Sequence, residues 1–333
     1  MSYQEALNHL KKAQKLFIER NYEMALVELD EAAHIAPDFP EVYFWRGKTL
    51  ATDLNEENLK AGIEEISHAI NLKPDYTEAY LERGKLYLQL GQLEKAEKDF
   101  NKVLSLKPNL EEAYIYLAQI HLARGNYEKA LENLQKVYKK EGKDNYKYFF
   151  YLGKIYFNNK EYTKAIELLS KALQLNPYLV DAYDLRAQSY KEIGKYENAI
   201  KDFKKAYTLM PEEKRFFVEI SNIHFKIADE FFEKGDIINS AIHIVEGMEI
   251  NYDIKLDEKY KEILIEAGRK IANENPHKAI LFFDFALRLI DETNFQKAEK
   301  EIEKIKSYRK EAIKNLPFKE RIIKIISDIY TGV

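Results

Sequence analysis

Histidines are the side chains in this sequence best suited to bind a metal or move a proton, and cysteine is absent. Without thiols the chain has no disulfide, no zinc–thiolate site and no cysteine nucleophile. The histidines lack the close spacing of a metal site; they are His9, His34, His68, His121, His224, His243 and His277. His9, His121 and His224 fall where the repeated pattern described below places core aromatics, which favours packed imidazoles. We expect neither a metal nor a cofactor.

Carboxylates are abundant, but no catalytic arrangement of them stands out. Charged residues make up 32% of the chain, so most aspartates and glutamates are expected to be solvated or paired along helices. Neither a GxGxxG loop nor a GxxxxGK[ST] phosphate loop occurs, and no Ser/His/Asp set can be singled out. The sequence therefore predicts that the protein is not an enzyme.

Charge and hydropathy limit the partners further. The 333 residues carry 52 Lys and Arg against 56 Asp and Glu, a net charge of −4, whereas a nucleic-acid-binding domain is usually strongly basic. No apolar run approaches the roughly 20 residues that a membrane-spanning helix needs. The first residues predict an amphipathic helix, with Leu7, Leu10, Ala13 and Phe17 on one side, rather than a signal peptide. We expect a cytoplasmic protein with no nucleic-acid partner and no membrane span.

Residues 77–110 show most clearly the elements that organise the chain. Their pattern predicts two short amphipathic helices joined by a turn at Gly91 and ended by Pro108. One face of the first helix carries Tyr80, Gly84 and Tyr87, and one face of the second carries Ala96, Phe100 and Val103. Small residues at the crossing points let the helices approach to about 8–10 Å. Stacking of the next helix pair is predicted to cover the apolar face that one pair leaves bare.

The same landmarks recur every 34 residues, for example from Gly84 to Ala118 and from Pro177 to Pro211. An aromatic residue, Gly, Tyr, Ala, Phe and Pro in this order resembles the tetratricopeptide repeat. Arg83 stands where that family usually has Leu, and Arg46 and Arg186 repeat the departure. The resemblance implies an all-α, right-handed superhelical solenoid of antiparallel helix pairs, with about eight repeats and C-terminal capping helices.

The predicted repeats follow one another along one continuous solenoid. In chain order they cover 6–39, 40–76, 77–110, 111–144, 146–179, 180–213, 221–254 and 260–293, and capping helices follow over 294–333. The second repeat has about three extra residues, which we place in its inner turn at 54–60. The first helix of the seventh is lengthened from 214, and the eighth repeat is degenerate. As an alternative to capping, the apolar side of Ile322–Ile329 could dock a partner.

The resemblance implies that the first helix of each repeat lines a concave binding face. In repeats two to five this face is apolar and aromatic, and lysines are scattered along it. The predicted groove residues are Phe44, Trp45, Lys48, Leu81, Lys85, Leu88, Ile115, Tyr116, Phe150, Tyr151, Lys154 and Phe157. Exposed apolar patches mark interaction sites, and aromatics dominate binding hot spots. The alternative is that neighbouring helices cover these aromatics.

We therefore predict a scaffold or adaptor that binds a peptide or helix of a partner protein in this groove, with lysines contacting acidic groups. Some family members grip the C-terminal carboxylate of chaperone tails with a clamp of basic and amide side chains. Three consecutive first helices here offer Phe44 and Lys48, then Glu82, then Glu112 and Tyr116, so no such clamp is expected. Two alternatives stay open: a structural or self-associating solenoid that uses its end faces or C-terminal helix, and a regulatory or recruiting subunit of an enzyme encoded elsewhere.

Overall fold

The computed structural model describes residues 3–138, 145–251, 256–290 and 295–331, and regular structure in these ranges consists of 18 α-helices. The predicted all-α fold of paired helices is confirmed in this part of the chain. The predicted repeat ends at 144, 254 and 293, and both ends of the capping segment at 294 and 333, lie outside the described residues.

The chain forms two compact units, Met1–Pro177 and Tyr178–Val333. The first contains α1 Tyr3–Ile18, α2 Tyr22–Ile35, α3 Pro40–Leu50, α4 Glu56–Leu72, α5 Thr77–Gln89, α6 Leu93–Leu106, α7 Glu111–Ala123, α8 Tyr127–Tyr138, α9 Tyr146–Asn158 and α10 Tyr162–Leu175. The second contains α11 Val180–Glu192, α12 Tyr196–Leu209, α13 Arg215–Glu233, α14 Ile237–Ile250, α15 Glu258–Ile271, α16 Pro276–Arg288, α17 Phe295–Lys314 and α18 Phe318–Thr331. Within each unit, successive helices pack in pairs.

Glycine allows the tight turn inside the α5–α6 pair. Gly91 has φ +70°, in the left-handed region where a Cβ is disfavoured. The Gly91 amide donates to the Leu88 carbonyl at 3.0 Å, and the Gln92 amide donates to the Tyr87 carbonyl at 2.8 Å. These bonds satisfy carbonyls at the end of α5 and reverse the chain, so that α6 packs back against α5.

Asparagine and aspartate side chains set the start of several helices. The Asn55 carboxamide oxygen accepts from the Asn58 amide at 2.8 Å, Asn145 accepts from the Lys147 amide at 3.0 Å, and Asp236 accepts from the Asn239 amide at 3.1 Å. Such caps satisfy amides that have no partner within the helix. Because Asn55 caps it, α4 begins at Glu56 and runs for 17 residues. Five residues, 51–55, separate α3 from α4, against three, 90–92, between α5 and α6, so the inner turn of the second repeat is longer. Residues 56–60 of the predicted insertion are helical.

Small residues face large ones where paired helices cross. Phe100 of α6 is fully buried against Gly84 of α5, and a Cβ added at Gly84 would lie 2.8 Å from the Phe100 ring. Ala96 and Val103 complete the buried face of α6. The first helices of the pairs keep their opposite side for other contacts, and that side holds the candidate site.

Candidate functional site

A cleft of about 370 Å³ opens along the first helices of the first compact unit. Its walls come from α1, α3, α5 and α7, and the lining residues are Phe17, Lys48, Ala51, Thr52, Glu82, Lys85, Leu86, Leu88, Gln89, Tyr116 and Gln119. Four of the predicted groove residues, Lys48, Lys85, Leu88 and Tyr116, therefore lie together in one cavity. Phe17, from the helix before the predicted groove, is also part of the wall.

Phe17 and Lys48 line the α1–α3 side of this cleft, and Trp45 packs against both of them. The rings of Phe17 and Trp45 meet edge to face, with centroids 5.4 Å apart. The Lys48 Nζ lies 4.7 Å from the Trp45 centroid and 5.4 Å from the Phe17 centroid. Lys48 contacts these rings, and among the described residues it forms no ion pair with a carboxylate. Its charge is therefore available to a ligand.

Lys85, which also lines the cleft, is by contrast neutralised by carboxylates of the protein itself. Its Nζ lies 2.9 Å from Glu112 Oε1 and 3.4 Å from Glu82 Oε2. Burial opposes the charge on this amine, but the two carboxylates outweigh burial and raise the pKa of Lys85. The lysine therefore stays protonated, with two acidic partners of its own.

Tyr116 forms the aromatic surface beside Lys85. Its ring stacks on buried Phe100 at 5.0 Å with 10° between the planes, and its hydroxyl donates to Glu112 at 3.4 Å. Burial, followed by the charge of Glu112, raises the pKa of Tyr116. The side chain is therefore a neutral phenol whose ring is held in place from behind. Lys147 of α9 places its Nζ 5.3 Å from the centroid of the same ring.

The other predicted groove residues divide by burial. Phe44, Ile115 and Phe150 keep only 8%, 2% and 9% of their surface, because they pack between helices. They act as core residues, so the prediction that they present a binding surface is not supported at these three positions. The half-buried ones are Trp45, Leu81, Tyr151, Lys154 and Phe157. Of these, Tyr151 donates a hydrogen bond to Gln119 at 2.8 Å, which joins α9 to the edge of the cleft.

The alternative docking surface on the C-terminal helix can be described only by its backbone. Helix α18 covers Phe318–Thr331, but the side chains of Ile322, Ile325, Ile326 and Ile329 lie outside the described residues. Within the described ranges no helix is both long and apolar enough to cross a bilayer.

A second group of chemically capable side chains lies where α13 packs on α14. The Nδ1 atoms of His224 and His243 are 3.2 Å apart, and Glu246 Oε2 lies 3.1 Å from the first and 2.8 Å from the second. Burial lowers the pKa of His224 despite the nearby Glu246 charge, so the neutral imidazole is favoured.

Sequence reasoning missed this cluster because its histidines are 19 residues apart. The same offset separates other facing partners in helix pairs, such as His9 and Glu28 or Arg46 and Glu65. A search at the offset of facing positions would have found the pair.

Comparison with known proteins gives matches over the central part of the chain. Family models described as tetratricopeptide repeat match residues 77–110, 117–179 and 180–213. A UDP-N-acetylglucosamine–peptide N-acetylglucosaminyltransferase of Giardia intestinalis is 36% identical over 81 residues, which are 24% of this chain and 5% of that protein. Human tetratricopeptide repeat protein 16 is 28% identical over 89 residues, 26% of this chain and 10% of that protein. The chain thus spans a tenth or less of these relatives.

Solved structures resemble the fold over a larger share of the chain. The C-terminal part of a TPR repeat-containing protein from Cytophaga hutchinsonii aligns with TM-score 0.57 and 19% identity, over 77% of this chain and 99% of that one. A tetratricopeptide repeat protein from Parabacteroides merdae aligns with TM-score 0.54 and 18% identity, over 78% and 97%. The APC/C hetero-tetramer Cut9–Hcn1 aligns with TM-score 0.52 and 17% identity, over 80% and 53%. At these identities the likeness concerns the fold alone.

Proposed function

We propose that this chain, a tetratricopeptide repeat protein, is a non-enzymatic scaffold that holds a peptide segment of a partner protein on the face formed by α3, α5, α7 and α9. The family matches between residues 77 and 213 and the paired helices establish the repeat class. Proteins of this class generally serve as scaffolds for other proteins, so a protein partner is the expectation for this chain too.

The cleft between Phe17 and Tyr116 is the observation that supports this proposal. It offers half-buried aromatic surface on helices that are packed from behind, so little conformational freedom is lost when a ligand binds. Concave surfaces with rigid aromatic walls and a few polar groups are typical of binding sites. A cleft of about 370 Å³ has room for one or two apolar side chains of a peptide.

The charges in the cleft indicate which peptide would fit. Lys48 lies against aromatic rings with its charge available, whereas Lys85 is already bound by Glu82 and Glu112. We therefore infer a ligand that inserts an apolar side chain between Leu88 and Tyr116 and directs a carboxylate toward Lys48. Of the lysines predicted to contact acidic groups, Lys48 then has the main role and Lys85 positions Tyr116.

Site-specific photo-crosslinking tests the proposal. A photo-reactive amino acid placed at Leu88 should crosslink a partner segment in a native lysate, and mass spectrometry of the crosslinked peptide would identify its sequence. The same group placed at exposed Lys98, on the outer side of α6, serves as the control position. A synthetic peptide of the identified sequence then allows affinity to be measured directly.

Two aromatic residues that contact the cleft wall provide the test, because Trp45 packs on Phe17 and Tyr151 donates a hydrogen bond to Gln119. Trp45→Ala together with Tyr151→Ala should weaken binding of that peptide by about 10-fold or more, since aromatic hot spots contribute about 2 kcal/mol or more. Tyr178→Ala, which removes an exposed aromatic that belongs to none of the four helices of the face, should leave the affinity unchanged. Equal crosslinking at Leu88 and Lys98, or unchanged affinity in the double variant, would contradict the groove proposal. Light scattering of the chain alone separates self-association from peptide binding.

A further inference from the structure

We propose that His224, His243 and Glu246 bind one divalent transition-metal ion of the zinc class between α13 and α14. The proposal is independent of the peptide groove, since these residues belong to the second compact unit. It rests on the positions of three donor atoms: the two histidine Nδ1 atoms and Glu246 Oε2 lie close to one another in one small volume.

The spacing of the donors fits a single ion. The three separations are 3.2, 3.1 and 2.8 Å. Zinc binds histidine nitrogen and carboxylate oxygen at about 2.0–2.2 Å, which places neighbouring ligands of a tetrahedral or octahedral site roughly 3.0–3.4 Å apart. An ion about 1 Å from the plane of the three donors would reach each of them at such a distance. Only shifts of a few tenths of an ångström are then required.

The donor types select the class of metal. Two imidazoles and a carboxylate suit zinc and the neighbouring first-row ions, whereas calcium and magnesium prefer sites built from oxygen alone. With three protein ligands, the ion would keep at least one position for water or for a donor from another molecule. That position faces solvent on the Glu246 side, because the Glu246 side chain keeps 44% of its surface while His224 keeps 12%.

The packing around the cluster holds the ligands in place before an ion arrives. His243 stacks on Phe231 of α13, with centroids 5.6 Å apart and planes at 8°. His224 comes from α13 and the other two ligands come from α14, so an ion would join the two helices of one pair. A metal that binds the folded pair and not the unfolded chain stabilises the folded state. The site would therefore make the stability of this pair depend on the metal.

Calorimetric titration of ZnCl₂ into the full chain tests the site, with the protein carrying no affinity tag and freed of metal by a chelator. We expect one ion per chain and a higher thermal unfolding temperature in its presence. Loss of an outer-shell partner typically weakens metal binding by about 10–100-fold, so His243→Leu, which removes a direct ligand, should weaken it by about 100-fold or more. His277→Leu is the matched control, because His277 has a glutamate partner at 2.7 Å but no second histidine among the described residues.

Glu246→Gln keeps the shape of the cluster and loses only the carboxylate charge, so it tests the site even if His243→Leu does not fold. It should bind zinc at least 10-fold more weakly, and the absorption bands of bound Co²⁺ should change. The proposal fails if the wild-type chain shows no saturable binding, or if both cluster variants bind like the His277 control. The cluster would then be a set of hydrogen bonds that only helps to hold α13 against α14.

Discussion

Arg83 of α5 donates two parallel hydrogen bonds to Asp99 of α6, from Nε to Oδ2 and from Nη2 to Oδ1, each 2.8 Å long. Arg186 and Asp202 repeat this arrangement in the second compact unit at 2.7 and 2.8 Å. Both aspartates lie 16 residues after their arginine. At Arg83 and Arg186 the arginine that replaces the family's usual leucine is therefore matched by a buried aspartate on the facing helix. Arg46, the third such arginine, pairs with half-buried Glu65.

Arg83→Leu should destabilise the first compact unit by about 3–5 kcal/mol, because it leaves a buried carboxylate without its partner. Asp99 keeps only 3% of its surface, so water cannot replace the guanidinium. The free energy of unfolding, measured by urea titration, gives the effect. The double variant Arg83→Leu/Asp99→Leu should recover most of the loss, since an apolar pair can replace a buried ion pair. A single variant as stable as wild type would mean that the pair contributes nothing.

Gly84→Ala should cost about 1–3 kcal/mol by overpacking the α5–α6 crossing. The new Cβ would lie 2.8 Å from Phe100, whose ring is fully buried and backed by Tyr116. Phe100→Leu vacates part of that space, so the double variant should be less destabilised than the sum of the two single ones. Thermal unfolding of the three variants measures this coupling. Strict additivity would show that the methyl group and the ring do not meet.

This crossing also shows what local sequence could predict. Gly84 and Phe100 each lie one turn from other residues of the repeated apolar pattern on their helix. This periodicity specifies the buried stripe of each helix and therefore which faces meet. The paired helices therefore follow from the sequence. The exact start of α4 does not, because it is fixed by the Asn55 side chain, which caps the helix after a longer turn.

The candidate sites depend on contacts that periodicity does not contain. Whether an aromatic on a first helix is exposed depends on how neighbouring helices cover it, and for this reason Phe44 is core while Trp45 is only half-buried. Lys85 likewise draws one of its two carboxylate partners, Glu112, from another helix pair. The offset that joins His224 to His243 appears only once two helices are placed antiparallel. Each of these features requires the rotation between helices, which is a tertiary property.

Glu28 should make the first helix pair sensitive to acid. It is buried, and its carboxylate binds Lys12 Nζ at 2.5 Å and His9 Nδ1 at 2.7 Å. The hydrogen bond from Lys12 lowers the pKa of Glu28, against the effect of burial. A depressed carboxyl pKa stabilises the fold above the pKa of the unfolded chain, about 4.3, and this contribution is lost as pH falls through the lower folded value.

Glu28→Gln should accordingly lower the free energy of unfolding by about 1.5–3 kcal/mol at pH 7, the usual effect of hydrogen bonds to a charged group. The difference from wild type should shrink as the pH falls below about 4. Urea titrations of both proteins at several pH values measure this difference in the free energy of unfolding. Glu56→Gln is the control, because its pair with Lys60 is solvent-exposed and such pairs contribute little. A pH-independent difference for Glu28→Gln would point to packing and not to charge.

Asp328→Ala should loosen the attachment of the last helix to the second compact unit. Arg309 of α17, which is buried, donates to both oxygens of Asp328 at 2.6 and 2.9 Å and also contacts Asp284 of α16. The variant removes the bond from Arg309 to α18, while Asp284 still neutralises the arginine and the described ion pairs between α16 and α18 remain. Charge-assisted hydrogen bonds contribute about 1.5–3 kcal/mol, so their loss should make amide exchange in α18 roughly 10- to 100-fold faster.

Hydrogen–deuterium exchange resolved along the chain measures this release. Exchange in α17 should change little, because its attachment to α16 is retained, and Lys319→Ala, an exposed change on α18, should leave both helices as in wild type. If α18 exchanges equally fast in wild type and Asp328→Ala, the ion pair does not hold the helix. Slow exchange in wild type that becomes fast in the variant indicates that α18 caps the unit through Arg309. A partner that docks on α18 would then compete with this bond.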